Sequence, residues 1–339
     1  MSGFRFSVPY NNDFSLLERL VEIKEMNGNN IEEVYFSGPQ EYFGSGRVVE
    51  KVTIEDIIKV IKFCKESGIK TNLLLNSTCE GIDWYSPLNV SKVLKLIEIL
   101  HLENGLDGVT IANPLFIQKI RKEFPKLEIT ASVLSQIDSV QRAMFFKNFG
   151  CNVITPDRDI NRNLKLLKEI KEVGFELKLM VNEGCLFKCP YRIFHFNLIS
   201  HWSKEGIIPK DYFFFNCQEI TKMDPSQILK SQWINPENLE KYKETTNYFK
   251  ITGRTRTTEW ILNTVTVYMK EELEGNLLDI MDSNLDYVKN KFGAYINNKE
   301  LEKIKFFEKV LDCNKNCFKC KFCEELAKKV VKFNYSKNI

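Results

Sequence analysis

The chain has 339 residues, with 48 Lys and Arg against 45 Asp and Glu, a formal charge of +3. So slight an excess announces no polyanion-binding surface, and 43% hydrophobic with 27% charged residues excludes a disordered, collagenous or coiled-coil chain. No apolar run approaches the roughly 20 residues that span a bilayer, and the opening MSGFRFSVPYNNDF has no signal-peptide pattern, so a cytoplasmic protein without a membrane partner is expected.

Eight short runs rich in β-branched and aromatic residues follow in chain order: FRFSV from Phe4, EVYFS from Glu33, KTNLLLN from Lys70, GVTIAN from Gly108, EITASV from Glu128, NVITPD from Asn152, ELKLMVN from Glu176 and YFKITG from Tyr248. Nearly continuous apolar runs of this kind fit parallel strands covered by helices. Between them lie segments of helical period: Phe14 to Met26, Thr53 to Glu66, Asn89 to Glu103, Ser139 to Asn148 and Asn161 to Val173, with Asp13 and Asn161 as N-cap candidates. Eightfold alternation predicts a closed α/β barrel of the (β/α)8 TIM type, and no glycine fingerprint of a nucleotide fold follows the first strand. The barrel is expected over residues 1–285, with a cysteine-containing insertion at 182–247 between the seventh and eighth strands and a helical, lysine-rich tail at 286–339. Such barrels place their chemistry at the C-terminal ends of the strands. The polar residues there are Asn76, Asn113, Asp157, Arg158, Asp159, Asn182, Glu183, Lys250 and Arg254.

Ten cysteines are the unusual feature. In a reducing compartment clustered thiols point to metal ligands rather than disulfides. Cys64 and Cys151 read as small buried hydrophobes. Cys185 and Cys189, separated by three residues, leave the seventh strand ahead of Pro190, and Cys217 follows in the same insertion; three thiols suggest an iron–sulfur site short of a fourth ligand, for which Cys79 is the first choice and His195 the second. A tighter group, Cys313, Cys317, Cys320 and Cys323, lies among lysines in the tail. Four thiolates so close repel one another unless a cation or cluster neutralises them. A second 4Fe–4S cluster is favoured there, with zinc as the alternative. The first three of these match the spacing of radical S-adenosylmethionine enzymes, but that motif follows the first strand of a barrel and this one lies after the last.

Four stretches, LLLNST, ITPDRDI, the seventh strand with its paired cysteines, and FKITGRTRTTEWILNTVTVYM, resemble the collagenase-like proteins of peptidase family U32. The resemblance spans roughly Thr71 to Asp282. It implies a barrel with a cysteine-bound 4Fe–4S cluster and one of two activities, proteolysis or oxygen-independent hydroxylation of a quinone precursor or an RNA pyrimidine. Arg158 and Asp159 match the family's arginine-glutamate pair, Lys250 and Arg254 match the ends of its last-strand motif, and Cys185, Cys189 and Cys217 look like three of its cluster ligands. Thr252 stands where that motif has glutamate, Asn182-Glu183 where it has histidine-glycine, and Ser231-Gln232-Trp233 near the expected fourth cysteine.

Peptidase chemistry needs an activated nucleophile or a metal-bound water; no H-E-x-x-H motif occurs and the chain has three histidines. A redox role fits the residues better. Arg158, Lys250, Arg254, Asn76 and Asn113 would bind substrate, with arginine suited to a carboxylate or phosphate. Asp159, Glu183 and His195 would move protons. The expected function is iron–sulfur-dependent modification, of the hydroxylase type, of an RNA base, a small aromatic molecule or a peptide. The alternatives are a U32-type peptidase and a non-catalytic electron-transfer or accessory partner of another enzyme, for which the aromatic tract Tyr212 to Phe215 offers a contact patch. An electron-donor protein or partner enzyme is the expected protein partner.

Overall fold

The computed structural model describes residues 3–205 and 212–334, residues 212–214 by backbone alone. Eight parallel strands form the barrel: Arg5–Pro9, Asn29–Ser37, Lys70–Leu75, Gly108–Ile111, Glu128–Ala131, Val153–Ile154, Glu176–Met180 and Tyr248–Lys250. Each hydrogen-bonds to the next, and the first also pairs with the eighth (Arg5 with Tyr248, Phe6 with Phe249, Ser7 with Lys250), which closes the cylinder. Six lie within the runs predicted for them, while the first runs on to Pro9 and the second begins four residues early, at Asn29, so the TIM-type architecture holds.

Alternation within each strand decides what fills the cylinder. Phe6, Val34, Leu73, Val109, Ile129, Leu177 and Phe249 belong to the apolar core beneath the helices. The intervening residues carry Ser7, Glu33, Asn72, Thr110 and Lys178, all buried and joined across the interior. Glu33 accepts from Ser7, Lys178 and the Asn72 amide (3.3 Å), and Thr110 donates to Asn72 at 2.6 Å. Burial raises the Glu33 carboxyl, but the Lys178 charge, its hydrogen bond and that of Ser7 outweigh this and hold it below the usual glutamate range.

Outside the strands, the helices mostly follow the predicted periods. Asp13 caps Phe14–Glu22, whose Leu16, Leu17 and Leu20 are buried; this helix stops short of Glu25–Met26, which pair as a short strand with Asn29–Asn30. Thr53 and Asp56 form a reciprocal capping box on Ile54–Glu66. Asn161 proves not to be the cap of the sixth helix: Asn163 caps Leu164–Glu172, while the Asn161 amide donates to the Met180 and Gln232 carbonyls, tying the sixth turn to the seventh strand and the insertion. A further helix, Pro114–Glu123, follows Asn113. The insertion holds the helices Arg192–Glu205, Tyr212–Met223 and Ser226–Lys230. Beyond the eighth strand and its helix Thr258–Lys270 come Asn284–Phe292, Asn298–Lys303, Phe306–Leu311 and Phe322–Val330. No helix among the described residues is long and apolar enough to cross a membrane.

Removing one member of a buried pair strands the other. Lys178→Met is therefore expected to cost about 3 kcal/mol in chemical denaturation, and Lys178→Met with Glu33→Leu to recover most of that. Because Glu33 is depressed in the folded chain, its contribution is present above the ordinary glutamate pKa and should fade as pH falls through the lower folded value.

Candidate active site at the barrel mouth

Two adjoining cavities open at the C-terminal end of the strands. One is a pocket lined by Tyr35, Asn76, Arg158, Glu183, Lys250 and Arg254, together with Arg47 and Asp282. The other is lined by Cys185, Cys189, Cys217, Tyr191, Arg192 and His195. Arg47 and Phe196 belong to both linings, so the pocket and the thiol cavity share a wall.

Most pocket residues are delivered by a strand end or the turn after it, while Arg47 comes from the long loop after the second strand, Phe196 from the helix Arg192–Glu205 and Asp282 from beyond the helix Thr258–Lys270. Gly253 takes φ +136°, and a Cβ there would sit 2.4 Å from the Trp260 ring, so only glycine makes the turn that brings Lys250 and Arg254 to the same pocket. Arg254 is buried and donates to the hydroxyls of Ser37 and Ser45; burial brings its guanidinium down to about 10. No carboxylate among the described residues forms an ion pair with it. Lys250 lies 3.7 Å from the centre of the Tyr35 ring. Burial, with Lys178 and Arg254 close by, pushes its amine well below the usual lysine range, which makes it a proton acceptor more than a fixed cation. The Asn76 side-chain oxygen accepts from Ser45 and from Gly46 N (3.1 Å), shaping the loop that carries Arg47.

Arg158 spans the two cavities. It pairs with Glu183, lies 3.5 Å from the Cys185 sulfur, and stacks 5.1 Å from the Phe196 ring. Cys185 donates to Glu183 at 3.2 Å. Desolvation first, then the Glu183 charge, pushes the Cys185 thiol up to about 12. Asp159 does not line the pocket. Its carboxylate grips Arg192 at 2.6 and 3.1 Å, and Arg192 also donates to the Leu186 carbonyl at 2.8 Å. Asp159 thus positions the thiol loop. Asn113 likewise lies outside the pocket lining, accepting from Leu115 N as a helix N-cap and donating to the Tyr85 hydroxyl at 2.6 Å.

The structure gathers Cys185, Cys189, Cys217 and His195 around one cavity. Cys79 is elsewhere: its loop packs on the C-terminal half of the helix Arg192–Glu205 through Thr78 N to Ser200 (2.9 Å) and Glu80 to Lys204 (3.3 Å). Ser231, near where the resemblance places a fourth cysteine, donates to the Cys185 carbonyl at 2.9 Å. Among the described residues no three His, Cys, Asp or Glu side chains converge closely enough to hold a single metal ion. An iron–sulfur cluster asks for something different, one thiolate per iron around a shared volume, and three thiols on one cavity wall beside Arg47, Arg158 and Arg192 suit an anionic cluster in donor type and in charge. Of the remaining sequence candidates, Cys64 and Cys151 are buried as expected, and Phe215 is exposed with Lys291 5.5 Å from its ring. Side chains 212–214 of the aromatic tract lie outside the described residues.

Arg47 and Asp282 are site residues that the sequence did not single out. Arg47 donates to Ser283 at 2.8 Å and lies 4.0 Å from Glu183. Asp282 bridges to Glu183 through the backbone and accepts two bonds from Arg256 at 3.0 Å. The serine-glycine loop Ser45-Gly46 was the available signal for Arg47; Asp282 carried none.

Residues 18–189 match the sequence pattern of peptidase family U32. The chain belongs to that family. It is 32% identical to the uncharacterized protease MJ1657 of Methanocaldococcus jannaschii over 97% of this chain and 100% of that protein. It is also 25% identical to the tRNA hydroxylation protein P1 of Bacillus subtilis over 42% of this chain and 32% of that protein. The solved structure of the U32 peptidase Mk0906 shares the fold, with a TM-score of 0.55 and 19% identity over 74% of this chain and 93% of that one.

The Lys250 amine burdens the fold because the folded state disfavours its proton. Lys250→Met should raise Tm near pH 7 by roughly 2–4 °C. The folded pKa lies below the unfolded one, so wild-type stability rises with pH across that interval. The advantage of the variant should shrink as pH approaches the ordinary lysine pKa, as measured by thermal melts at several pH values.

Proposed function

We propose that this U32 protein is an iron–sulfur-dependent enzyme that modifies an RNA base by oxygen-independent hydroxylation. The observation that carries the reading is the shared wall. A polar pocket holding Arg254, which has no ion pair among the described residues, lies directly against a cavity lined by three cysteines, and Arg158, Glu183 and Cys185 touch across the boundary. Cys185, Cys189 and Cys217 would hold the cluster, with His195 on the same cavity as the fourth candidate. A cluster bound there would supply a one-electron path to an acceptor protein, along which the two electrons released when water replaces a base C–H bond with C–OH would leave the site.

The chain's own residues do the rest. Arg254 offers a buried positive charge to a phosphate or to a carbonyl oxygen of the base. Lys250, its amine biased toward the neutral form, takes a proton from the substrate. Glu183 sits where it accepts the proton that Cys185 must give up to become a ligand. Leu74, Leu134, Met180 and Phe196 supply the apolar surface against which a flipped base packs. The tRNA hydroxylation protein P1 supports RNA as the substrate class, since that relative's name describes this chemistry. Proteolysis draws its support from names, those of the family, of the uncharacterized protease MJ1657 and of the U32 peptidase Mk0906. In the metal-free chain Cys185 holds its proton too firmly to act as a nucleophile.

Protein purified without oxygen should contain iron and sulfide and absorb near 400 nm, and Cys185→Ser, Cys189→Ser and Cys217→Ser should each lower the iron content. Transfer or ribosomal RNA from cells lacking the gene should lose a nucleoside one oxygen heavier than its parent, restored by wild type and reduced at least tenfold with Arg254→Met. Iron-free protein, or unchanged RNA together with cleavage of peptides, would overturn the reading.

A further inference from the structure

Lumen-facing positions of the second strand arrange three buried cations in rows, and only the lowest row is an ion pair. Glu33, Tyr35 and Ser37 point to the same side, because side chains alternate along a strand. In the lowest row Glu33 pairs with Lys178. In the next, Lys250 lies 3.7 Å from the centre of the Tyr35 ring, and the Tyr35 hydroxyl donates to the Ile251 carbonyl at 2.8 Å, which fixes the ring against the amine. In the top row Arg254 donates to Ser37. Glu33, whose charge reaches Lys250, is already engaged by Lys178, Ser7 and Asn72. The Lys250 amine therefore has a ring face but, among the described residues, no hydrogen bond and no ion pair.

A buried lysine relieved of its proton is a nucleophile toward carbonyl carbon as well as a base. Burial and the neighbouring cations Lys178 and Arg254 hold this amine toward that form. Leu74 and Met180 share the pocket lining and shield it from water. The ring that Lys250 touches and the hydroxyl that Arg254 holds belong to side chains one two-residue repeat apart, about 6.6 Å along the strand. An imine bond, one carboxylate and one hydrogen bond together reach about 6.7 Å. Two more polar atoms of the lining are buried without a partner, Thr155 Oγ1 and Glu183 Oε2. Leaving such atoms unanswered costs free energy. Thr155 can donate to a carbonyl or carboxylate oxygen, and Glu183 can accept from the hydroxyl that a carbonyl becomes when the amine adds to it.

We propose that Lys250 forms an imine with a 2-oxo acid whose carboxylate is held by Arg254, giving the pocket a second, small substrate. The amine adds to the carbonyl carbon, and its two protons leave with the carbonyl oxygen as water. A C=N bond replaces the C=O bond with no change of oxidation state. Glu183 Oε2 is the free acceptor on the lining for the proton in transit. A 2-oxo acid suits the pocket better than a neutral ketone, because only the acid answers Arg254, and its carboxylate lies beside the carbonyl as the spacing requires. The inference deepens the reading above, with which it shares the pocket, but the imine needs neither a cluster nor RNA.

Pyruvate serves as the probe, and sodium cyanoborohydride traps the imine by adding hydride to its carbon. Full-length wild type treated with both should gain about 72 Da. The gain should map to Lys250, seen after trypsin digestion as an uncut peptide from Glu244 to Arg254. Labelling there should outrun that of the exposed Lys59 about tenfold. Acetone lacks the carboxylate, so the preference for pyruvate over acetone should be about tenfold greater at Lys250 than at Lys59, and Arg254→Met should remove that excess. Lys250 left unlabelled, or labelled no faster than Lys59, would overturn the imine. An equal preference at the two lysines, or one unchanged in Arg254→Met, would overturn the 2-oxo acid. Labelled Lys250 in protein that proves free of iron would leave the imine standing where the reading above fails. Hydroxylation of RNA by protein whose Lys250 stays unlabelled would do the reverse.

Discussion

The contact of Arg158 with Glu183 holds the mouth of this barrel together. The sixth strand ends in a turn capped by Asp157, which accepts from Asp159 N at 2.8 Å and turns Arg158 toward the seventh strand. The seventh strand, in turn, is prolonged by Asn182, whose amide donates to the Thr252 and Ile280 carbonyls and whose oxygen accepts from Thr252 N at 2.7 Å. Two ladders thereby converge on one ion pair. Both partners are buried, so neither is free to leave for solvent without stranding the other. Because the same arginine reaches the Cys185 sulfur, whatever disturbs the thiol loop is felt in the pocket.

Asp159 and Arg192 set the other side of that loop. Their two-point contact fixes the N-terminal turn of the helix Arg192–Glu205, and Phe196, one turn further on, becomes the wall between the cavities. Two of the positions at which the sequence differs from the motif it resembles meet in the fold. Asn182 and Thr252 bond to each other, so the two positions form one contact on the rim.

The architecture was legible because it rests on period and order. Eight apolar runs separated by helical stretches can close in few ways. Arg158, Glu183, Lys250 and Arg254 were legible for a related reason, since strand ends are where barrels expose polar groups. What could not be read was partnership. Glu33 and Lys178 lie 145 residues apart and meet only once register assigns both to the interior. Asp159 looked like a proton carrier until Arg192 claimed both of its oxygens, and Asn113 looked like a ligand until the following Pro114 made it a cap. Arg162 gave no sign at all, because its significance comes from the absence of a carboxylate at a depth the sequence does not reveal.

Net charge conceals how unevenly the interior is charged. The barrel lumen balances a buried lysine against a buried glutamate, and the mouth balances Arg158 against Glu183 and Arg256 against Asp282. Arg254 and Arg162 are the exceptions, each buried, each satisfied by hydroxyls, carbonyls or rings, and neither paired with a carboxylate among the described residues. Selection for stability alone would favour apolar replacements at such positions, since an unanswered buried charge weakens a fold. Arg254 lines the pocket at the barrel mouth. The simplest physical account is that Arg254 awaits the negative charge of a substrate.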